Sequence, residues 1–209
     1  MPRGRFISLE GGEGVGKSTQ ARALVAALAA RGIDAVLTRE PGGSAGAEAV
    51  RELLLSGPAD RWTTRSEALL FAAARADHVA RTIRPALDEG RWVVCDRFLD
   101  SNRAYQGVGG TLRDEDILAL HRIGSEGLLP DRTLLLALPG DEGTLRAGTR
   151  DRGESDRIGG RDAAFHAAVA AAFERFAQAE PARFRRIDAG GGVEAVTARL
   201  VEALADLLP

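Results

Sequence analysis

Short uninterrupted apolar runs alternate along the chain with longer stretches in which apolar positions recur every three to four residues. The runs predict strands at residues 5–10, 34–38, 91–96, 132–138 and 183–188. The periodic stretches predict helices near 17–31, 45–56, 65–89, 114–126, 161–179 and 193–208. Strand and helix in regular alternation is the mark of βαβ units, so the expected fold is α/β: a five-stranded parallel sheet with helices on both faces. Ligands of such sheets bind beyond the carboxyl ends of the strands. The residues that carry chemistry are therefore expected just after each strand.

The first such segment is Gly11-Gly12-Glu13-Gly14-Val15-Gly16-Lys17-Ser18-Thr19, between a strand and an Ala/Leu-rich helix. Its Gly-x4-Gly-Lys-Ser spacing is that of a phosphate-binding P-loop, whose amides and helix N-terminus cradle an anion. Lys17 is the only lysine in the chain, against 27 arginines. A compact ammonium on a flexible stem fits beneath a phosphate chain where a planar guanidinium fork does not. In this setting Lys17 is expected on the β- and γ-phosphates and the Ser18 hydroxyl on Mg²⁺.

Later strands are followed by Thr38-Arg39-Glu40-Pro41-Gly42-Gly43, by Asp96-Arg97-Phe98 with Asp100 to Gly107, and by the arginine-rich Arg150 to Arg157. Asp96 closes an apolar strand, where a carboxylate can reach the metal or its water. Arg97 beside it can grip a second phosphate bidentately. Arg150, Arg152, Arg157 and Arg161, interrupted by glycines, suit a lid that brings positive charge to a transferred phosphoryl group. Phe71 and Arg75 stand one helical turn apart; their spacing suits a base-stacking ring beside a guanidinium, or equally a core aromatic beside a surface arginine.

Composition narrows the reading. With 209 residues, 44% of them hydrophobic, the chain can bury the core of a single domain. A net charge of −2 argues against a general nucleic-acid binder, so any anion site must be local. Cys95 is the lone cysteine, which forbids an intrachain disulfide and fits a reducing cytoplasm. The first strand starts at residue 5, so no signal peptide is expected, and no apolar stretch is long enough for a membrane span. His78, His121 and His166 make no pair at metal-ligand spacing.

Taken together, Ile7 to Thr19, the Thr38-Arg39-Glu40-Pro41-Gly42-Gly43 loop, Asp96-Arg97-Phe98 through Ala104-Tyr105-Gln106-Gly107, Asp156-Arg157-Ile158 and Ile187-Asp188-Ala189 resemble the thymidylate kinase family nearly end to end. The resemblance implies a P-loop nucleoside monophosphate kinase fold with a lid at about 148–161. It implies direct transfer of the ATP γ-phosphate to dTMP with Mg²⁺, in a cytoplasmic homodimer that makes precursors for DNA. It further implies that Phe71 stacks on thymine, Arg75 meets O4 and Gln106 reads N3. Arg39, Arg51 and Arg97 would hold the acceptor phosphate, with Glu40, Pro41 and Ser101 lining its site. Tyr105 would crowd a ribose 2′ position, and Glu13 would approach the 3′-hydroxyl directly or through water or metal. Because the P-loop holds no arginine at Glu13, Gly14 or Val15, the catalytic arginine is expected in the lid, as in the bacterial style of the family. Phe98, where tyrosine is common, and Asn102-Arg103 before Ala104 depart from the family pattern.

The nearest rival is a kinase for another monophosphate, such as UMP/CMP or dGMP. A guanine-nucleotide switch is a rival of another class, but its Asn-Lys-x-Asp element is impossible in a chain whose one lysine is Lys17.

Overall fold

The structure is a computed structural model that describes residues 3–107, 112–138 and 157–209. Five parallel strands form one sheet: β1 (Phe6–Glu10), β2 (Ala35–Arg39), β3 (Trp92–Asp96), β4 (Arg132–Ala137) and β5 (Phe184–Asp188), in the order β2-β3-β1-β4-β5. Each lies within a residue or so of its predicted span.

Period-two alternation sends the side chains of β1 to both faces. Ile7 and Leu9 join a core with α1 (Lys17–Ala29) and the C-terminal helix α8 (Val193–Glu202). Phe6 faces the opposite side with Val93, Cys95 and Phe98, beneath α6 (Asp114–Ser125). A third cluster joins Leu135 of β4 to Tyr105 and to Val169, Ala172 and Phe173 of α7 (Ala163–Ala179). The three central strands are buried on both faces, whereas β2 and β5 at the edges alternate with exposed positions.

α2 (Ala45–Leu55) starts where Ser44 Oγ accepts the amide of Ala47, and α3 (Thr64–His78) where Thr63 does the same for Ser66. The stretch predicted as one helix over 65–89 is divided: α3 passes into a wider π-turn at Val79–Ile83 and then into the short α4 (Arg84–Asp88), with Pro85 in its first turn. Pro85 has no amide hydrogen to give to an α-helical ladder. The predicted last helix ends earlier, at Glu202.

The structure has one helix that the apolar periodicity does not predict. α5 (Leu99–Gly107) buries Asp100, Asn102, Arg103 and Gln106 together with its apolar residues, so no apolar stripe marks it. Asp100 is held by Arg103 at 2.9 Å and Arg183 at 2.6 Å, which fastens α5 to the start of β5.

The register sets the site. Leu9 pairs with Asp96, and Asp96 with Arg39, so the ends of β1, β3 and β2 lie side by side. The P-loop, the Arg97 turn and the 39–43 loop all emerge at that edge.

Candidate active site

Three glycines let the P-loop close. Gly11, Gly14 and Gly16 have φ of 136°, 73° and 90°, and a Cβ on Gly11 would lie 2.3 Å from the Leu136 carbonyl oxygen. α1 has no side-chain cap and no acidic residue in its first turn, so its amides point at the loop without an internal competitor. Val15 packs inward with the core, and Thr19 follows on α1.

Lys17 is only 7% exposed, and its Nζ donates to the carbonyls of Gly11 at 3.1 Å and Gly12 at 2.5 Å. Burial, and then the nearby Arg97, push its pKa down to about 8. Ser18 Oγ donates to Asp96 Oδ2 at 2.5 Å, which brings a hydroxyl and a carboxylate together beside the loop. Among the described residues no cluster of three or more His, Cys, Asp or Glu could cage a metal. Two hard oxygen donors next to a phosphate site suit Mg²⁺, which keeps most of its waters and takes its other ligands from phosphate. Ser18 and Asp96 are therefore the residues that would hold it.

Arg97 sits in a left-handed turn at φ 68°, fixed by its amide on the Leu9 carbonyl at 2.9 Å. Its Nη1 donates to Gly11 O at 3.0 Å and Ser101 Oγ at 3.1 Å; Nη2 donates to Glu13 Oε1 at 2.6 Å and Tyr105 Oη at 3.2 Å. Burial works against its charge, but Tyr105, Glu13, Asp96 and Glu10 outweigh it and raise the pKa. Burial also opposes ionisation of Glu13, yet Arg97, Lys17 and the Tyr105 hydroxyl bring its pKa down to about 2. Tyr105 donates to Glu13 at 2.8 Å, which gathers the chain's only tyrosine, Glu13 and Arg97 into one triad. Behind Arg97, the buried Glu10 accepts from the Phe98 amide at 2.8 Å and from Ser101 Oγ at 2.6 Å.

The other end of the site is built on α3 and the 39–43 loop. Arg75 is 3% exposed, donates through Nε to Glu40 Oε2 at 2.8 Å and through Nη2 to Asn102 Oδ1, and lies over the Phe98 ring. Glu40 also meets His78 Nδ1 at 3.0 Å, and His78 Nε2 meets Thr38 Oγ1 at 2.7 Å. With a carboxylate on Nδ1, the imidazole donates there and accepts from Thr38. Burial opposes the charge of Glu40, but Arg75 and His78 hold its pKa below the ordinary value. Arg51 donates to Pro41 O at 2.6 Å, and Arg39 pairs with Glu48 at the exposed rim.

A single cleft of about 260 Å³ joins the two ends, from Lys17, Ser18, Asp96 and Arg97 to Phe71, Arg75 and Gln106. Glu13, Arg39, Glu40, Pro41, Arg51, Ser101 and Tyr105 line it as well. The eleven residues expected to bind the acceptor thus face one space together with Gly14, Gly16, Lys17 and Ser18, whereas Gly11, Gly12, Val15 and Thr19 do not line it.

Residues 9–200 match the thymidylate kinase family. The chain belongs to the thymidylate kinase family. Over all 209 residues it is 67% identical to a thymidylate kinase of Rhizorhabdus wittichii, each chain being covered in full. It is 49% identical to that of Caulobacter vibrioides over 208 residues, covering 100% of this chain and 99% of the other. The crystal structure of the Ehrlichia chaffeensis thymidylate kinase superposes with a TM-score of 0.77 at 30% identity, covering 98% of this chain and 99% of that one. The sheet and its loops are those of a P-loop nucleoside monophosphate kinase.

Of the four arginines read as lid, the structure describes Arg157 and Arg161, and both pair with Glu67. Arg150 and Arg152 lie outside the described residues. Arg157, expected to reach the γ-phosphate, is instead buried: it donates to Leu54 O at 2.9 Å and Ala59 O at 3.3 Å and pairs with Glu67. The reason is Glu67, a carboxylate 1% exposed that needs a cation beside it. The cleft and network residues to which the sequence assigns no role include Glu67, Leu55, Asn102, Ile158, Glu10 and His78. Glu67, Phe71, Arg75 and His78 follow one another at four, four and three positions on α3, a helical face that would have shown Glu67 and His78 beside Phe71 and Arg75.

Proposed function

We propose that the chain transfers the γ-phosphoryl group of ATP in line to the 5′-phosphate of dTMP, giving dTDP for DNA precursor synthesis. One observation carries this: the same cleft holds Lys17 of the P-loop and Arg97 at one end and Phe71, Arg75 and Gln106 at the other. Phosphoryl transfer asks mainly for positioning and positive charge, and both are present.

In this reading Lys17 leaves the Gly11 and Gly12 carbonyls for the donor β- and γ-phosphates. Arg97 and Arg51, with Arg39 at the rim, orient the acceptor phosphate for attack. Phe71 stacks on the pyrimidine, the Arg75 guanidinium donates to O4, and Gln106 meets N3. Tyr105 and Glu13 form the wall against which a ribose 2′-hydroxyl would press. Magnesium, when bound with the nucleotide, screens phosphate charge; Ser18 and Asp96 orient its side of the site. Arg150 and Arg152, in a lid at about 148–161, are the remaining sources of charge for the transition state.

The whole chain acts as one domain, and its setting is the cytoplasm, where the buried Cys95 thiol stays reduced. Its working form is a homodimer. Leu69 on α3 and Ile123 on α6 support this, being the most exposed large apolar side chains among the described residues at 57% and 80%. Sedimentation of wild type against Leu69→Asp with Ile123→Asp tests it, the double variant being expected as a monomer.

The central test is ADP release with Mg-ATP and dTMP, dUMP, UMP, CMP or dGMP. Fast turnover confined to dTMP, with dUMP slower by the value of a single methyl contact, is the expected result. Turnover led by a ribonucleotide or a purine would discard the base-site assignment while keeping the P-loop chemistry.

A further inference from the structure

Glu67 touches neither end of the cleft, yet it terminates a buried chain of polar contacts that does. Its Oε1 accepts from Gln106 Nε2 at 2.7 Å; Arg161 lies 3.0 Å from Oε2, and Arg157 pairs with the same oxygen. Gln106 Oε1 in turn accepts from Asn102 Nδ2 at 2.8 Å, and Asn102 Oδ1 accepts from Arg75. The order is guanidinium, amide, amide, carboxylate. Gln106 and Asn102 are 0% and 4% exposed, so bulk water cannot repair a mispaired group.

The oxygen and nitrogen of an amide are nearly equal in size, so packing alone does not decide which way either side chain points. The two ends decide it. A guanidinium only donates and a carboxylate only accepts. Asn102 must therefore turn its oxygen to Arg75, Gln106 must turn its nitrogen to Glu67, and the two amides then meet nitrogen to oxygen. Reversing Gln106 would set its oxygen against the Glu67 carboxylate and its nitrogen against the Asn102 nitrogen.

We propose that Glu67, neutralised by Arg157 and Arg161, fixes the polarity of the Gln106 amide and so makes the pocket select a pyrimidine with hydrogen on N3 over one whose N3 is a bare lone pair. The inference rests on the reading that Gln106 faces the base. Gln106 Oε1 keeps a second lone pair, which a thymine N3–H can meet and a cytosine N3 would oppose. Glu67 is a positioning residue: it acts on the substrate only through the amide it holds.

The experiment is kcat/KM for dTMP and for dCMP with the full chain, for wild type and for Glu67→Gln. Glutamine at position 67 turns its oxygen to Arg157 and Arg161 and its nitrogen to Gln106, so Gln106 meets opposite demands from this end and from the Arg75 end and its polarity is no longer fixed. The dTMP-over-dCMP preference is expected to fall about tenfold or more, chiefly through the acceptor KM, with the KM for ATP unchanged. Glu67→Asp keeps an acceptor-only group and is expected to keep the preference even where turnover slows. A purely structural role would instead lower stability or rate for both acceptors alike.

Wild type that shows no preference for dTMP would overturn the reading of the pocket itself. A wild-type preference that survives unchanged in folded Glu67→Gln would overturn only the role given to Glu67. Should Glu67→Gln fail to fold, with Arg157 left unpaired, Glu67→Gln combined with Arg157→Met decides. It frees the Gln106 amide in the same way without leaving a buried guanidinium lacking its carboxylate. The same loss of preference is expected, and an unchanged preference overturns the proposal.

Discussion

The two ends of the cleft hold similar numbers of charges on opposite plans. At the phosphate end the cations rest on partners an anion can replace: Lys17 on two backbone carbonyls, and Arg97 on Glu13, whose side chain is 40% exposed. At the base end Arg75, Glu40, His78, Asn102, Gln106 and Glu67 are all buried and fastened to one another. A phosphate is caught by field strength, so its ligands need only be near and free to shift. A base edge is told apart by the direction of a few hydrogen bonds, so its ligands must be fixed before it arrives.

The contrast is broken most directly at Lys17. Lys17→Ala, and Lys17→Arg as well, are expected to lower kcat/KM for ATP by about three orders of magnitude while the circular dichroism spectrum stays that of wild type. A folded variant with near-normal turnover would remove the phosphate end from the argument.

Stability tells the two ends apart next. Glu40→Ala leaves the buried Arg75 without its carboxylate and is expected to cost about 3–5 kcal/mol in urea denaturation. Glu13→Ala removes a half-open pair and is expected to cost at most about 1 kcal/mol, although it impairs turnover. Equal losses would mean that the two ends are not differently built.

Phe71→Ala is a smaller change, since stacking binds ground state and transition state alike. The KM for dTMP is expected to rise about tenfold with little change in kcat, the loss of one base–aromatic contact. An unchanged KM would return Phe71 to the core it also touches.

The mildest effect concerns Glu10, behind the phosphate end. Burial, and then the ionised Asp100, raise its pKa from 4.5 to about 8; Ser101, Arg97 and the Phe98 amide pull the other way. Asp100 keeps its charge because Arg183 and Arg103 hold it. The folded chain thus binds a proton at Glu10 more tightly than the unfolded chain does. That contribution to stability is present below about pH 4.5 and is lost as the pH rises through about 8. Glu10→Gln, which cannot ionise, is expected to flatten the decline in Tm between pH 5 and pH 8. A decline as steep as that of wild type would assign it to other groups.

All five strands and the P-loop could be read from sequence because their signals are local: an apolar run, or a motif of eight residues. α5 could not, because its buried face is largely polar and its partners lie far away, Arg183 being 83 residues from Asp100. Glu67 and His78 were missed for a related reason. Their contacts to Gln106 and Glu40 span 39 and 38 residues, and no short pattern encodes such a pairing. The partner of Arg157 is not legible either: a run of arginines gives charge but not direction, and here Arg157 pairs with a carboxylate 90 residues earlier.

The solitary lysine makes this protein unusually simple to label. Reductive methylation with isotopic formaldehyde finds one side-chain amine in the whole sequence, and it is the one held against the Gly11 and Gly12 carbonyls. A single methyl resonance, apart from any α-amino signal, would then report from inside the P-loop. Its shift on adding ATP or dTMP would follow the occupancy of each half of the cleft without a mutation and without turnover.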